Sequence, residues 1–216
     1  MITLLEELVL LAVNDDGGMA FTAGSPSFGR AVAGACLVEL SEAGRIDADL
    51  SAVRLVSSAP TGSAAADRVL AELAAGEPAA AEVWVQRLQE IVPELVRLAL
   101  RMLVERGVLE QTEARFLWVL RARRYPVIDG REQKEAKLRI VSSLLGDEVP
   151  TPHDTALVGL ACAGGLLQGF LSNAEIARLQ DRINLVGGID LFVKGVESAI
   201  RTEAAIRAQA YMIPMV

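Results

Sequence analysis

Residues able to do covalent or metal chemistry are sparse in this chain. It has one histidine, His153, and two cysteines, Cys36 and Cys162, among 216 residues. A serine nucleophile needs a base, and the lone histidine, between Pro152 and Asp154, reads as a helix-start residue rather than as half of a triad. Zinc needs clustered His and Cys ligands, and none can be assembled. Asp15-Asp16 ahead of Gly17-Gly18 reads as a charged turn. Gly164-Gly165 and Gly187-Gly188 follow helical stretches, the place of C-caps rather than of a phosphate-cradling loop. The expectation is a protein that is not an enzyme, with no catalytic residue, metal or cofactor.

Arginine offers a different chemistry, the recognition of anions. The segment Arg115-Phe-Leu-Trp-Val-Leu-Arg-Ala-Arg-Arg-Tyr-Pro-Val-Ile-Asp129 reads as a β-hairpin, two apolar runs around a basic knot. Its tip is expected to carry Arg121, Arg123 and Arg124, flanked by Trp118, Leu120 and Tyr125. Cations beside amphipathic rings are the composition of a membrane–water interface. The competing reading has Phe116, Trp118 and Leu120 plugging a groove on the parent domain, with the arginines solvated. Charge distribution favours the first. From Arg97 to Arg139 there are 11 basic and 6 acidic residues, +5, while the remainder carries 10 against 22, or −12. A basic island on an acidic body points to a patch facing an anionic surface. The sequence pI of about 4.9 argues against wrapping nucleic acid over a large face.

The elements that must position these groups are helical. Length and 52% hydrophobic content predict one domain over residues 1–216 with a large core. Helices are expected near 3–13, 30–42, 64–75, 79–92, 93–106, 131–145, 154–163, 173–185 and 190–209. Thr3 with Glu6 and Ser172 with Glu175 supply capping boxes, Pro93 a first turn, and Gly44 and Gly107 stops. Ile46 and Val53–Val56 suggest a small hairpin. The predicted class is therefore all-α, a helical bundle decorated with small β-hairpins. The apolar stretch 155–171 is short for the ~20 residues of a membrane span and is broken by Gly164-Gly165 and Gln168, so it reads as a core helix. Glu6 and Glu7 stand where a signal peptide would be basic, and both cysteines lie in apolar runs, so a reduced, cytoplasmic protein is expected.

A series of motifs runs in order along the chain: Leu4-Leu-Glu-Glu-Leu-Val-Leu-Leu11, Gly34-Ala-Cys-Leu-Val-Glu-Leu40 with Gly44-Arg45-Ile46, and Ser58-Ala-Pro-Thr-Gly62. Leu103-Val-Glu-Arg-Gly-Val-Leu109, Phe116-Leu117, Tyr125-Pro126, Pro152-His153 and the Leu157–Leu167 helix follow. Across nearly its whole length, the chain thereby resembles the Golgi phosphoprotein 3 (GPP34) family, the first two pieces being similar to its opening helices and the third to a short family signature. The resemblance implies an all-α core and a peripheral protein on the cytoplasmic face of a membrane. It also implies recognition of phosphatidylinositol 4-phosphate, insertion of a hydrophobic hairpin, and protein clients; separately, because one hairpin would bind only weakly, a homo-oligomer presenting several hairpins is a possible partner state. Eukaryotic members link client tails to coatomer through a basic N-terminal extension; this chain starts at the domain itself, so that role is not expected, and its Ala-rich form resembles a bacterial member.

The family's headgroup residues carry over incompletely. Its loop tryptophan falls in the Phe21-Thr22 region, one arginine at Ala33, and two more at Pro93 and Val96. Arg30, one turn before Ala33, and Arg97 with Arg101 on the later helix are the candidate replacements, because a planar guanidinium binds phosphate by paired charge-assisted hydrogen bonds. A second function stays open. Leu37–Ile46 and Leu103–Leu109 both run helix, glycine, apolar strand, the outline of a winged-helix nucleic-acid or protein-binding regulator. That reading wants a helix rich in Arg, Asn or Gln, and 79–106 offers mostly Ala, Leu, Val and Glu, so no nucleic-acid partner is expected.

Overall fold

The computed structural model describes residues 2–14, 17–19, 25–116 and 120–211. The chain runs α1 (Leu4–Leu11), α2 (Pro26–Glu42), β1 (Ile46–Ala48), β2 (Val53–Leu55), α3 (Ala64–Ala75), α4 (Ala81–Arg87), a 3₁₀ turn (Leu88–Ile91) and α5 (Val92–Glu105). It continues with β3 (Thr112–Phe116), β4 (Leu120–Arg124), α6 (Arg131–Leu145), α7 (Pro152–Ala163), α8 (Asn173–Gly187) and α9 (Leu191–Tyr211). The protein is mainly α, a helical bundle with two-stranded antiparallel hairpins β1–β2 and β3–β4.

Local sequence accounts for the helix ends. Thr3 Oγ1 accepts from the Glu6 amide at 3.3 Å while Glu6 accepts from the Thr3 amide at 2.8 Å, the reciprocal box read from the sequence. Ser172 and Glu175 repeat it at α8. Pro93 sits in the first turn of α5, and Gly107, at φ 70°, ends it in the left-handed region. Helix α7 starts two residues earlier than expected because Thr151, not His153, is the N-cap, accepting from the Asp154 amide at 3.1 Å.

The middle of the bundle is α2, buried on all sides from Phe28 to Val38 and packed by α1, α7 and α9. A methyl group on Gly34 would stand 2.6 Å from Val196 and 2.8 Å from Leu160, so glycine there lets α7 and α9 approach together. Helix α1 is buried throughout, including Glu6 and Glu7. Its C-terminal carbonyls are satisfied by Gln133 of α6, whose Nε2 donates to Leu10 O and Val13 O, both at 2.9 Å. Among the described residues, no helix is long and apolar enough to cross a membrane; the 155–171 stretch is divided at Gly164 and Gly165.

The β3–β4 hairpin is present, with its turn placed differently from the sequence reading. Residues 117–119 connect the strands, so Arg121, Arg123 and Arg124 lie on the returning strand and not at a tip. The second apolar run does not form a hairpin arm. Val127 bridges to Leu109, Ile128 N–H donates to Val108 O at 3.0 Å, and Tyr125 N–H donates to Gly17 O at 2.8 Å. Tyr125, expected on the membrane-facing flank, is buried in the core at 9% exposure. The physical reason is Pro126: lacking an amide hydrogen, it ends the ladder, and the chain turns back onto the body, where Gly17 (φ 75°) allows Tyr125–Pro126 to approach closely.

Candidate anionic-surface site

The hairpin stands on an anchored base and makes its main contacts within itself. Its register pairs Thr112 with Arg124, Glu113 with Arg123, Ala114 with Ala122, Arg115 with Arg121 and Phe116 with Leu120. The side chains of residues 113–123, those of Leu120, Arg121 and Arg123 among them, fall outside the described residues. Trp118 and the Phe21-Thr22 region fall outside the described residues. Arg124, at the base, is half-buried.

Arg97 and Arg101 both lie on the solvent side of α5, one turn apart on the stripe Pro93–Arg97–Arg101–Glu105, opposite the buried Leu95, Ala99 and Leu103. Arg30 is different. It sits in the buried wall of α2 and pairs through Nη2 with Glu203 of α9, a partner 173 positions away that nothing in the local sequence announces. Its Nε is buried without a hydrogen-bond partner among the described residues.

The remaining basic island is partly consumed inside the protein. Arg106 approaches Glu6 at 3.5 Å, and Arg139 pairs with Glu7 and lies 3.8 Å from Asp154. His153 Nε2 meets Glu7 Oε2 at 2.9 Å. The bond to Glu7 raises the His153 pKa above its ordinary value, outweighing its burial, with Glu7 and Glu42 charges adding and Arg139 opposing. Glu6 and Glu7 thus act as internal anchors for α5, α6 and α7. The sign available in the sequence was two carboxylates inside an otherwise wholly apolar helix, which burial forces to find partners. On the other side of α1, burial raises the Glu39 pKa despite the Leu5 amide donating to it at 2.8 Å.

Two surface pockets lie away from the three candidate headgroup arginines. One of about 410 Å³ is lined by Ile2, Glu7, Arg106, Glu132, Glu135 and Arg139, and one of about 340 Å³ includes Glu39, Glu42, Thr61 and His153. Both are rich in acid and neither is lined by Arg30, Arg97 or Arg101. Among the described residues no group of three or more His, Cys, Asp or Glu is placed to hold a metal ion.

No curated protein matches the chain. A family profile does: the one described as Golgi phosphoprotein 3 (GPP34) matches residues 4–202, from the first residue of α1 to Thr202, one residue before Glu203. With a match of that extent over a helical bundle bearing two small hairpins, the chain belongs to the Golgi phosphoprotein 3 (GPP34) family.

Proposed function

We propose that this protein is a peripheral lipid-surface binder that engages anionic headgroups, phosphatidylinositol 4-phosphate among them, through the β3–β4 ribbon and the arginines of α5. The family is associated with the Golgi, with phosphoinositides and with protein partners in general, and is not known as a family of enzymes. The observation that supports the reading is the β3–β4 register, which brings Arg115, Arg121, Arg123 and Arg124 onto one two-stranded ribbon together with Phe116 and Leu120. Such a ribbon suits an interface, where cations meet phosphates and apolar side chains enter the acyl boundary. Each arginine near an anionic surface contributes about 1 kcal/mol. Arg121, Arg123 and Arg124 then give roughly 3 kcal/mol, and burial of Leu120 about 1.5–3 kcal/mol more.

That total, about 5 kcal/mol, corresponds to a dissociation constant near 0.1–1 mM, so one ribbon holds the membrane only weakly. Stable attachment needs a second contact, from Arg97 and Arg101 or from a second copy of the chain. The membrane face engaged is the cytoplasmic one in this reading, and client proteins would dock while the protein is held there. Vesicle flotation with neutral, phosphatidylglycerol-containing and phosphatidylinositol 4-phosphate-containing lipid, beside a duplex-DNA pull-down at the same salt, tests it. Binding to both anionic vesicles, weakened by salt, supports the proposal; retention on DNA with no flotation overturns it in favour of a nucleic-acid regulator.

A further inference from the structure

Four segments that stand apart in the sequence meet at one cavity. The pocket of about 340 Å³ is lined by Leu4 of α1, Glu39 of α2, Thr61 of the Ser58–Gly62 segment and His153 of Pro152-His153, with Glu42 and Ser63 beside them. Membrane docking through the ribbon and α5 uses none of these residues. The loop ahead of α3 is pinned from both sides. Arg45 donates to Ala59 O at 2.6 Å and to Pro60 O at 3.2 Å, and Asp67 accepts from the Thr61 amide at 2.6 Å. The cavity is thus shaped by contacts that need no occupant.

Its wall holds a carboxylate without a counter-charge. Around α1, Glu6 has Arg106 at 3.5 Å, and Glu7 has Arg139 and His153. Glu39 has no cation among the described residues. It accepts from the Leu5 amide at 2.8 Å and from the hydroxyls of Thr3 and Ser63, all neutral donors, and burial raises its pKa ahead of every contact that lowers it. Glu42, one turn on and exposed, has His153 Nδ1 at 4.0 Å, on a ring already engaged by Glu7 through Nε2. No Lys or Arg among the described residues lines the cavity. A carboxylate drawn out of water without a cation is costly, and a second carboxylate nearby adds to the cost. The missing partner is therefore a cation. Among the described residues no three His, Cys, Asp or Glu are grouped to hold a metal ion. An ammonium or guanidinium fits better, because its several N–H donors can be shared between carboxylate and hydroxyl oxygens. The volume is at the small end of ligand pockets, about 300–1,000 Å³, and suits a group of side-chain size.

We propose that this pocket binds an organic cation, an alkylammonium or guanidinium group, with Glu39 and Glu42 as its counter-charges and the Thr61 and Ser63 hydroxyls as further acceptors. The site is separate from the ribbon and does not rest on lipid binding. A lysine or arginine side chain of another polypeptide and a free amine offer the same chemistry, and the experiment tells them apart.

The wild type, Glu39→Gln, Glu42→Gln and a control, Glu148→Gln, which changes an exposed acid outside this pocket, are titrated with a capped tetralysine peptide, its Nζ-acetylated form and putrescine. Binding is read from amide chemical shifts, and circular dichroism checks that each variant is folded. The Leu5 and Ser63 amides of the wild type are expected to shift to saturation with tetralysine and to stay still with the acetylated form. Glu39→Gln and Glu42→Gln are each expected to bind roughly tenfold more weakly, and Glu148→Gln as the wild type does. Glu42 is exposed, so Glu42→Gln carries the test even where Glu39→Gln does not fold. Saturation by tetralysine alone upholds the site and assigns the cation to a polypeptide; saturation by putrescine upholds it and extends it to free amines. Still Leu5 and Ser63 amides, equal binding of the acetylated peptide, undiminished binding by Glu42→Gln, or an equal loss in Glu148→Gln overturns it.

Discussion

Replacing Glu7 with alanine is expected to cost about 3 kcal/mol of folding stability. The carboxylate is buried in α1 and joins two other helices, through Arg139 of α6 and His153 of α7. Hydrogen bonds to charged groups contribute about 1.5–3 kcal/mol each. Arg139 and His153 are both partly exposed and regain water when Glu7 is lost, which holds the total near the lower end. The histidine half of this link is pH-dependent. The His153 pKa is raised in the folded protein, so its pairing with Glu7 contributes in full below the ordinary imidazole pKa of about 6.5 and is lost as pH rises through the raised folded value. Glu39, whose pKa is also raised, adds a slope of the same sign at lower pH. Since His153 is the chain's only histidine, His153→Gln isolates its share. Urea unfolding followed by circular dichroism, at about pH 5.5 and about pH 9, should show wild-type stability falling by roughly 1–2 kcal/mol and the variant falling by less. A His153→Gln protein with the wild-type slope, or Glu7→Ala destabilised by under about 1 kcal/mol, would refute this reasoning.

Other expectations follow from packing and burial. A methyl at Gly159 would stand 2.8 Å from Gly187 O and 2.6 Å from Val193, against backbone that cannot give way cheaply, so Gly159→Ala should lower stability by about 1–3 kcal/mol in urea unfolding. Gln133→Leu keeps volume but strips the donors from Leu10 O and Val13 O; it should cost about 1–3 kcal/mol and speed amide exchange at the end of α1.

The helices were legible because local signals specify them. Thr3–Glu6, Ser172–Glu175, Pro93 and Gly107 each act within one turn, and the structure uses them as read. The β1–β2 hairpin was legible from Ile46 and Val53, and Asp49 closes its turn by accepting from the Ser51 and Ala52 amides, a detail the pattern did not announce. The site was harder. The turn of β3–β4 was misplaced because the arginines looked like loop composition, whereas pairing of Glu113 with Arg123 and Phe116 with Leu120 puts them within β4. Tyr125 looked interfacial by residue type, yet its burial is decided by Gly17, more than a hundred residues away. Arg30 was singled out by position, but its pairing with Glu203 depends on how α9 crosses α2, which no local pattern carries.

The most direct test of the central claim is flotation of Arg121→Glu with Arg123→Glu and Arg124→Glu on anionic vesicles. Removing three contributions of about 1 kcal/mol each should weaken binding at least roughly 100-fold, abolishing flotation while the helical circular-dichroism signal is kept. A folded triple variant that floats as well as the wild type would contradict the account, because the ribbon would then not be the surface that meets the membrane.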